Sequence, residues 1–171
     1  MLYILLGWIF IFFHFTVEGF DILADFVGYA LIFWGFKVLA DRSPNFKKGK
    51  IWALAMTAIE FFLCIASVVR VDWGNISIFI NVVTVILSLY ILRFCNLGVH
   101  DLERSEGIYL GSDRLLRLWN IQAALQGVCC VLSCFSVAAF AYIILIIGFA
   151  AMVLNVIWLV MFYRARKAYE C

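Results

Sequence analysis

Charged residues and prolines are both scarce in this sequence. Only 14% of its 171 residues are charged, 67% are hydrophobic, and the mean hydropathy is +1.07. Soluble domains carry about 25% charged residues, and a domain of this size cannot hide so many apolar side chains from water. The single proline and the lack of low-complexity tracts argue against long linkers. We therefore predict one integral-membrane domain that covers residues 1–171.

Motifs that would carry catalysis or cofactor binding are also missing. The sequence has no GxSxG, no HExxH and no glycine-rich phosphate-binding loop. Its six cysteines form neither a CxxC pair nor a zinc-ligand spacing. His100, Asp101 and Glu103 come from one segment, which we interpret as a solvated loop and not as a metal site. These absences disfavour an enzyme without excluding one, and they predict no metal, no cofactor and no nucleic-acid partner.

Six segments are apolar and long enough to be membrane spans, since a helix needs about 20 residues to cross the hydrocarbon core. A turn near residues 133–136 divides the last apolar block, because a single helix there would be roughly twice as long as the bilayer is thick. The longest connection, residues 96–113, has room for a short interfacial helix. The predicted fold is an all-α bundle of six transmembrane helices at residues 2–17, 26–41, 51–69, 75–95, 116–133 and 138–162.

Basic residues predict the orientation of this bundle. They cluster in the second and fourth connections and after the last span, while the other connections hold only Arg70. Because cytoplasmic loops are rich in Lys and Arg, we expect both termini on the cytoplasmic side of a bacterial inner membrane. Four tryptophans fall near predicted span ends, where indole rings favour the membrane interface: Trp52, Trp73, Trp119 and Trp158.

Carboxylates are concentrated in the first outer connection and at one position inside a span. Glu18, Asp21 and Asp25 follow the first span. They either cap and solubilise a short loop or form an acidic mouth. Glu60 lies near the middle of the third span, and an ionisable group at that depth usually faces the bundle interior and has a function. The alternative for Glu60 is a protonated carboxyl that shares a hydrogen bond with another helix.

Polar residues of other spans indicate a shared cavity. Glu60 belongs to a small, polar stripe that reaches Ser67, and the opposite, Phe-rich surface of this helix is expected to face lipid. His14 and Asn81 lie in the outer halves of their spans. These groups either pack the helices together or line an outward-open cavity with Glu60 at its floor, which would favour a small cationic or polar solute. The predicted binding residues are Glu60, His14, Asn81, Asp21, Asp25, Glu18 and Ser67.

Two resemblances add to this interpretation. The segment DILADFVGYALIFWGFKVL followed by FKKGK resembles a stretch in small, uncharacterised multi-span membrane proteins of Gram-positive bacteria, with Ala24 where those tend to have proline. This resemblance implies no activity. The architecture resembles the S-components of energy-coupling-factor vitamin transporters, which implies six spans, both termini inside and a solute bound from outside beneath the first loop.

The sequence thus favours binding or transport of a small solute across the bacterial cytoplasmic membrane. The alternative is a non-transporting accessory, immunity or sensory protein that acts through its basic inner loops. Besides the lipid bilayer, the expected partners are a small cationic or polar solute and other membrane subunits.

Overall fold

Six α-helices make up the described part of the chain in a computed structural model. The structure describes residues 1–12, 22–69, 74, 76–133 and 139–170, with the backbone alone at 22–24, 67, 68, 133, 139–141 and 144. The helices are α1 (Leu2–Phe12), α2 (Ile22–Leu39), α3 (Pro44–Val68), α4 (Ile76–Glu106), α5 (Ser112–Ser133) and α6 (Ala139–Glu170). Four of them, α3 to α6, are long and apolar enough to cross a membrane, and the described part of α1 is a shorter apolar helix. The all-α fold class is therefore confirmed.

The helices form a closed ring. Each helix packs against the next one in the chain, and α1 packs against α6. Trp8 of α1 makes the closing contact, because its ring centroid lies 5.8 Å from that of Trp158 in α6. Trp158 stacks in turn on Phe162, with 4.9 Å between the centroids. All three aromatic side chains are buried, so the two ends of the chain are joined through the interior of the ring.

The position of Trp158 corrects the sequence analysis, which placed this residue at the membrane interface. Its side chain is 0% exposed. The indole Nε1–H donates to Oδ1 of Asn96 at 3.0 Å, and Nδ2 of Asn96 donates to the carbonyl oxygen of Leu115 at 3.4 Å. A buried indole needs such a hydrogen-bond partner, and hydropathy alone does not reveal one on another helix. Trp73 lies outside the described residues.

Packing is tightest at the end of the bundle where α2 joins α3 and α4 joins α5. We call this the basic end and the opposite one the distal end. Phe46 of α3 is buried here between Phe36 of α2, at 5.5 Å between ring centroids, and Gly98 of α4. The only proline, Pro44, occupies the first turn of α3, where its missing N–H costs nothing. The basic residues at this end include Lys47, Lys48, Lys50, Arg104, Arg114 and Arg166.

The connection predicted for residues 96–113, with room for a short interfacial helix, is much shorter than expected. Helix α4 continues to Glu106, and only residues 107–111 connect it to α5. The helix continues because Val99 and Leu102 are fully buried, and Gly107 ends it with a positive φ of 68°. Asp101 accepts hydrogen bonds from Ser43 and Asn45 at the start of α3.

Close contact between α1 and α2 depends on glycine. A Cβ atom added at Gly28 would lie 2.6 Å from Cγ1 of Ile11 and 2.8 Å from the carbonyl oxygen of Gly7. One added at Gly35 would lie 2.4 Å from Cγ1 of Ile4. Small residues let membrane helices approach in this way, which matters because lipid provides no hydrophobic force between them.

We expect Gly28→Ala to destabilise the protein by about 1–3 kcal/mol, because the new methyl group overpacks the α1–α2 interface. Gly148→Ala is the matched control, since a Cβ atom there meets nothing within 4 Å and alanine favours the helix by up to about 1 kcal/mol. Thermal unfolding in detergent should give a lower Tm for Gly28→Ala only. Equal Tm values for the two variants would contradict the close approach.

Candidate functional site

Two carboxylates lie at the same height on neighbouring antiparallel helices. Near the basic end, Phe36 of α2 packs against Gly49 of α3. Asp25 precedes Phe36 by eleven residues, and Glu60 follows Gly49 by eleven. At about 1.5 Å per residue, both carboxylates lie roughly 16 Å from that contact.

Asp25 and Glu60 are close enough for direct charge–charge interaction. The residues that follow them support this register, because the ring centroids of Phe26 and Phe61 are 5.5 Å apart. Both acidic residues are half-buried. Since like charges repel most strongly where water is scarce, this pair favours a proton or another cation between the two side chains.

Tyr29 and Ser88 extend this pair toward the basic end. Tyr29 lies one turn from Asp25 on the same face of α2, and its buried hydroxyl shares a hydrogen bond with the Ser88 side chain of α4. The phenol also lies within charge–charge range of Asp25 and Glu60. We call Asp25, Tyr29, Glu60 and Ser88 the acidic site. Three helices contribute to it, so the site depends on the assembled bundle.

A cavity of about 370 Å³ lies between α4, α5 and α6. We call it the α4–α6 cavity. Its walls are mainly apolar, and its polar side chains are the amides of Asn81 and Gln126 and the thiols of Cys129 and Cys130. Pockets of this size, with mostly apolar walls and a few polar groups, are typical of small-molecule sites.

This cavity lies toward the distal end from the buried aromatic side chains of α6. On α6, the cavity-lining Gly148 and Ala151 share the helix face that carries Trp158 and Phe162. Large side chains fill the interior at the basic end, whereas small ones leave it open toward the distal end. A Cβ atom added at Gly148 would meet nothing within 4 Å.

Helix α4 connects the cavity to the acidic site. Asn81 and Val85 line the cavity, and Ser88 follows them on the same helix face. Along the helix axis Ser88 lies about 4.5 Å from Val85. Glu60 itself lines neither this cavity nor the recess of about 450 Å³ between α3 and α4. That recess is bounded by the exposed Phe62 and other apolar side chains, which are suited to lipid.

A buried amide pair lies at the basic side of the α4–α6 cavity. Nε2 of Gln122 donates to Oδ1 of Asn155, about one turn from Gln126 and Ala151. Gln122 is 2% exposed, and its Oε1 accepts no hydrogen bond from the residues that the structure describes. A ligand that carries an N–H or O–H group would satisfy this acceptor.

The structure describes three of the predicted binding residues. Asp25 and Glu60 lie together, and Asn81 lines the α4–α6 cavity instead of contacting that pair. The Phe-rich surface of α3 points outward as predicted, since Phe61 and Phe62 are exposed while Ala53 is buried. The remaining predicted residues, or their side chains, lie outside the described part of the chain: His14, Glu18, Asp21 and the side chain of Ser67.

Tyr29 was missed by reasoning from the sequence. The signal was present, because Tyr29 follows Asp25 by four residues and precedes the buried Ile32 and Phe36 on the same face. A tyrosine in an apolar run does not by itself indicate a polar site. Among the described residues, no three His, Cys, Asp or Glu side chains converge as they would in a metal site.

Comparisons with protein-family models, with curated proteins and with solved structures yield no match for this chain. The two resemblances seen in the sequence therefore remain expectations, and the function has to be argued from the site.

We expect Asp25→Asn and Glu60→Gln each to raise the Tm of the ligand-free protein in detergent. Either change removes the same repulsion between the two carboxylates. The Tm increase of the double variant should therefore be smaller than the sum of the increases of the two single variants. The expected coupling is about 0.5–3 kcal/mol in a double-mutant cycle. Asp113→Asn, at an exposed position on α5, is the control and should leave the Tm unchanged. Strictly additive effects would show that the two carboxylates do not interact.

Proposed function

We propose that this protein crosses the bacterial cytoplasmic membrane six times, with both termini in the cytoplasm, and transports a small cationic solute that it binds inside the ring. The topology is supported by the grouping of basic residues at one end of the bundle, which cytoplasmic ends share. In this orientation the open, distal part of the interior faces outward and the packed, basic part faces inward.

The meeting of Asp25 and Glu60 on facing helices carries this proposal. A pair of carboxylates between packed apolar helices is costly unless a cation or a proton compensates the charge. Tyr29 and Ser88 add hydroxyl groups that can orient a hydrogen-bonding solute. Intramembrane acids of this kind mark ion and substrate pathways in membrane proteins.

Transport requires that the packed half of the ring open in a second conformation. Trp8, Trp158 and Phe162 fill the interior on the basic side of the site. A solute bound at the acidic site would therefore be exposed to the distal side only. The bound cation would neutralise the carboxylates, and this change would favour the second conformation, in which the packed half of the ring is open.

A second candidate function is an accessory role through protein partners. One observation favours it: Glu60 lines neither of the two cavities described above. A carboxyl that serves only to hold α3 against α2 would have this placement. Cation binding separates the two functions, because an accessory protein has no need of it.

Reporter fusions test the topology. A reporter that fluoresces only in the cytoplasm should be active when fused after residue 42, 110 or 170, because basic residues retain these connections inside. An alkaline phosphatase, which is active only outside the cytoplasm, should be active after residue 72 or 135. A cytoplasmic signal after residue 72, or phosphatase activity after residue 170, would overturn the six-span arrangement.

Thermal shifts with simple cations test the binding site. We expect at least one of sodium, potassium, ammonium, methylammonium and guanidinium chloride to raise the Tm of the wild type. A ligand at one hundred times its Kd stabilises by about 2.7 kcal/mol. Glu60→Gln should abolish this shift, whereas the exposed Asp113→Asn should retain it. If Glu60→Gln is more stable and no cation stabilises the wild type, the transport proposal fails.

A further inference from the structure

Acidic and basic side chains are matched unevenly in the half of the bundle at the basic end. All of the 13 Lys and Arg residues except Arg70 lie in this half. Among the described residues, only Arg42 and Arg166 of these cations form ion pairs with acids. Asp101 and Glu103 instead accept hydrogen bonds from the starts of α3 and α5. This surface therefore carries positive charge that no described acid neutralises, and it favours an anionic partner.

One of these cations, Arg93 of α4, lies over an aromatic ring. Its guanidinium carbon is 5.1 Å from the ring centroid of Trp119 in α5. The indole is held in place, because its Nε1–H donates to the carbonyl oxygen of Leu89 at 2.9 Å. A guanidinium over an indole face keeps N–H donors along its edges, in a fork that fits two oxygens of a phosphate. The side chain of Arg93 is exposed, so such an anion can reach it.

Aromatic and then apolar surface follows Arg93 toward the distal end. Tyr90, one turn away on the same helix face, lies 5.9 Å from Trp52 of α3 between ring centroids, and both side chains are exposed. Six residues nearer the distal end on each helix, Ala58 and Thr84 border the recess of about 450 Å³ between α3 and α4. The cation, the two rings and the recess therefore follow one another along the contact between these two helices.

This order matches the parts of a phospholipid. Arg93 provides a fork for the phosphate, and tryptophan and tyrosine rings favour the interface between headgroups and chains. The recess is walled almost wholly by apolar side chains, which suit an acyl chain. A soluble anion would use only the first of these three regions. A neutral apolar molecule would use only the last two.

We propose that an anionic phospholipid binds along the α3–α4 contact, with its phosphate on Arg93 and one acyl chain in the recess between these helices. The proposal rests on the proposed membrane crossing and not on transport, since it uses neither the acidic site nor the α4–α6 cavity. A zwitterionic lipid offers the same phosphate and chains. It also brings an ammonium group, which the surrounding cations repel, so the site favours a headgroup with net negative charge.

The chain offers matched variants for both parts of the lipid. Arg93→Gln removes the cation over Trp119, and Arg114→Gln removes another exposed cation from α5. Val83→Trp fills the recess, which Val83 lines. Val153→Trp adds the same side chain at an exposed position of α6 that lines neither the recess nor the α4–α6 cavity. Circular dichroism and size-exclusion chromatography establish that all four variants are folded before binding is measured.

Native mass spectrometry of the full chain in detergent measures the Kd of the first bound lipid for dioleoylphosphatidylglycerol and dioleoylphosphatidylcholine. We expect the wild type to bind the anionic lipid about fivefold more tightly, the contribution of one basic residue near an anionic headgroup. Arg93→Gln should abolish this preference, and Arg114→Gln should keep it. Val83→Trp should weaken both lipids by roughly threefold or more, because the chain loses its packing contacts. Val153→Trp should weaken neither.

Several outcomes would overturn the proposal. Equal affinity of the wild type for the two lipids would do so, as would a preference that survives Arg93→Gln and so reflects the overall charge of this end. If glycerol phosphate, which has no chains, displaces phosphatidylglycerol at a concentration near its Kd, the site takes a soluble anion. If Val83→Trp binds as the wild type does, no chain enters the recess.

A control separates this proposal from the proposed function. Glu60→Gln should bind phosphatidylglycerol as the wild type does, because Glu60 does not line the recess. Loss of cation binding with retained lipid binding would therefore refute transport alone. Loss of the lipid preference in a protein that still binds cations would refute the lipid site alone.

Discussion

The contact between Trp8 and Trp158 is the interaction on which the rest of the structure depends. It joins the first helix to the last and turns a row of six helices into a ring. Hydrocarbon chains solvate apolar side chains as well as other helices do, so the ring must be held by close packing and hydrogen bonds. Trp158 provides both, since it stacks on Phe162 and donates to Asn96. Loss of this contact would open the ring between α1 and α6.

The sizes of the side chains on the interior faces explain where the interior is filled and where it is open. Toward the basic end these faces carry Phe36, Phe46 and Phe162, which are fully buried. Toward the distal end the corresponding positions on α6 are Gly148 and Ala151, and space remains. Apolar side chains predominate in the interior of both halves, so hydropathy alone does not distinguish the two interiors. The volumes of the residues along one helix face do distinguish the filled half from the open half.

The spacing of apolar residues and the composition of each segment predict those parts of the fold that depend on a single helix. The number and type of the helices, the exposed Phe face of α3 and the close approach at Gly28 all follow from residues on one element. The error at residues 96–113 has a clear reason. Polar residues in this segment resemble a loop, but Asp101 is matched by the start of α3 and Leu102 is buried by other helices. Such partners are invisible in one sequence.

The sequence predicts which types of residue form the candidate site, but not which residues lie together in it. A carboxylate in the middle of a span already indicates a functional position, which is why Glu60 could be singled out. Its neighbour could not be identified, because Asp25 was assigned to an outer loop and not to a turn of α2. Only the contact between Phe36 and Gly49 fixes the register of the two helices and brings the two acids to the same height. The relative height of residues on two neighbouring helices depends on how the helices pack. The residue pattern within one helix does not reveal that packing.

An acidic pair among packed apolar helices works against stability, and this cost is an argument about function. Replacing a buried charged group by an apolar one of similar shape often stabilises a protein, so a purely structural role for both Asp25 and Glu60 would be poorly served by carboxylates. The open cavity adds a second cost, because its walls lack the dispersion contacts of a packed core. Both costs fall on the distal half of the ring, while the basic half is densely packed.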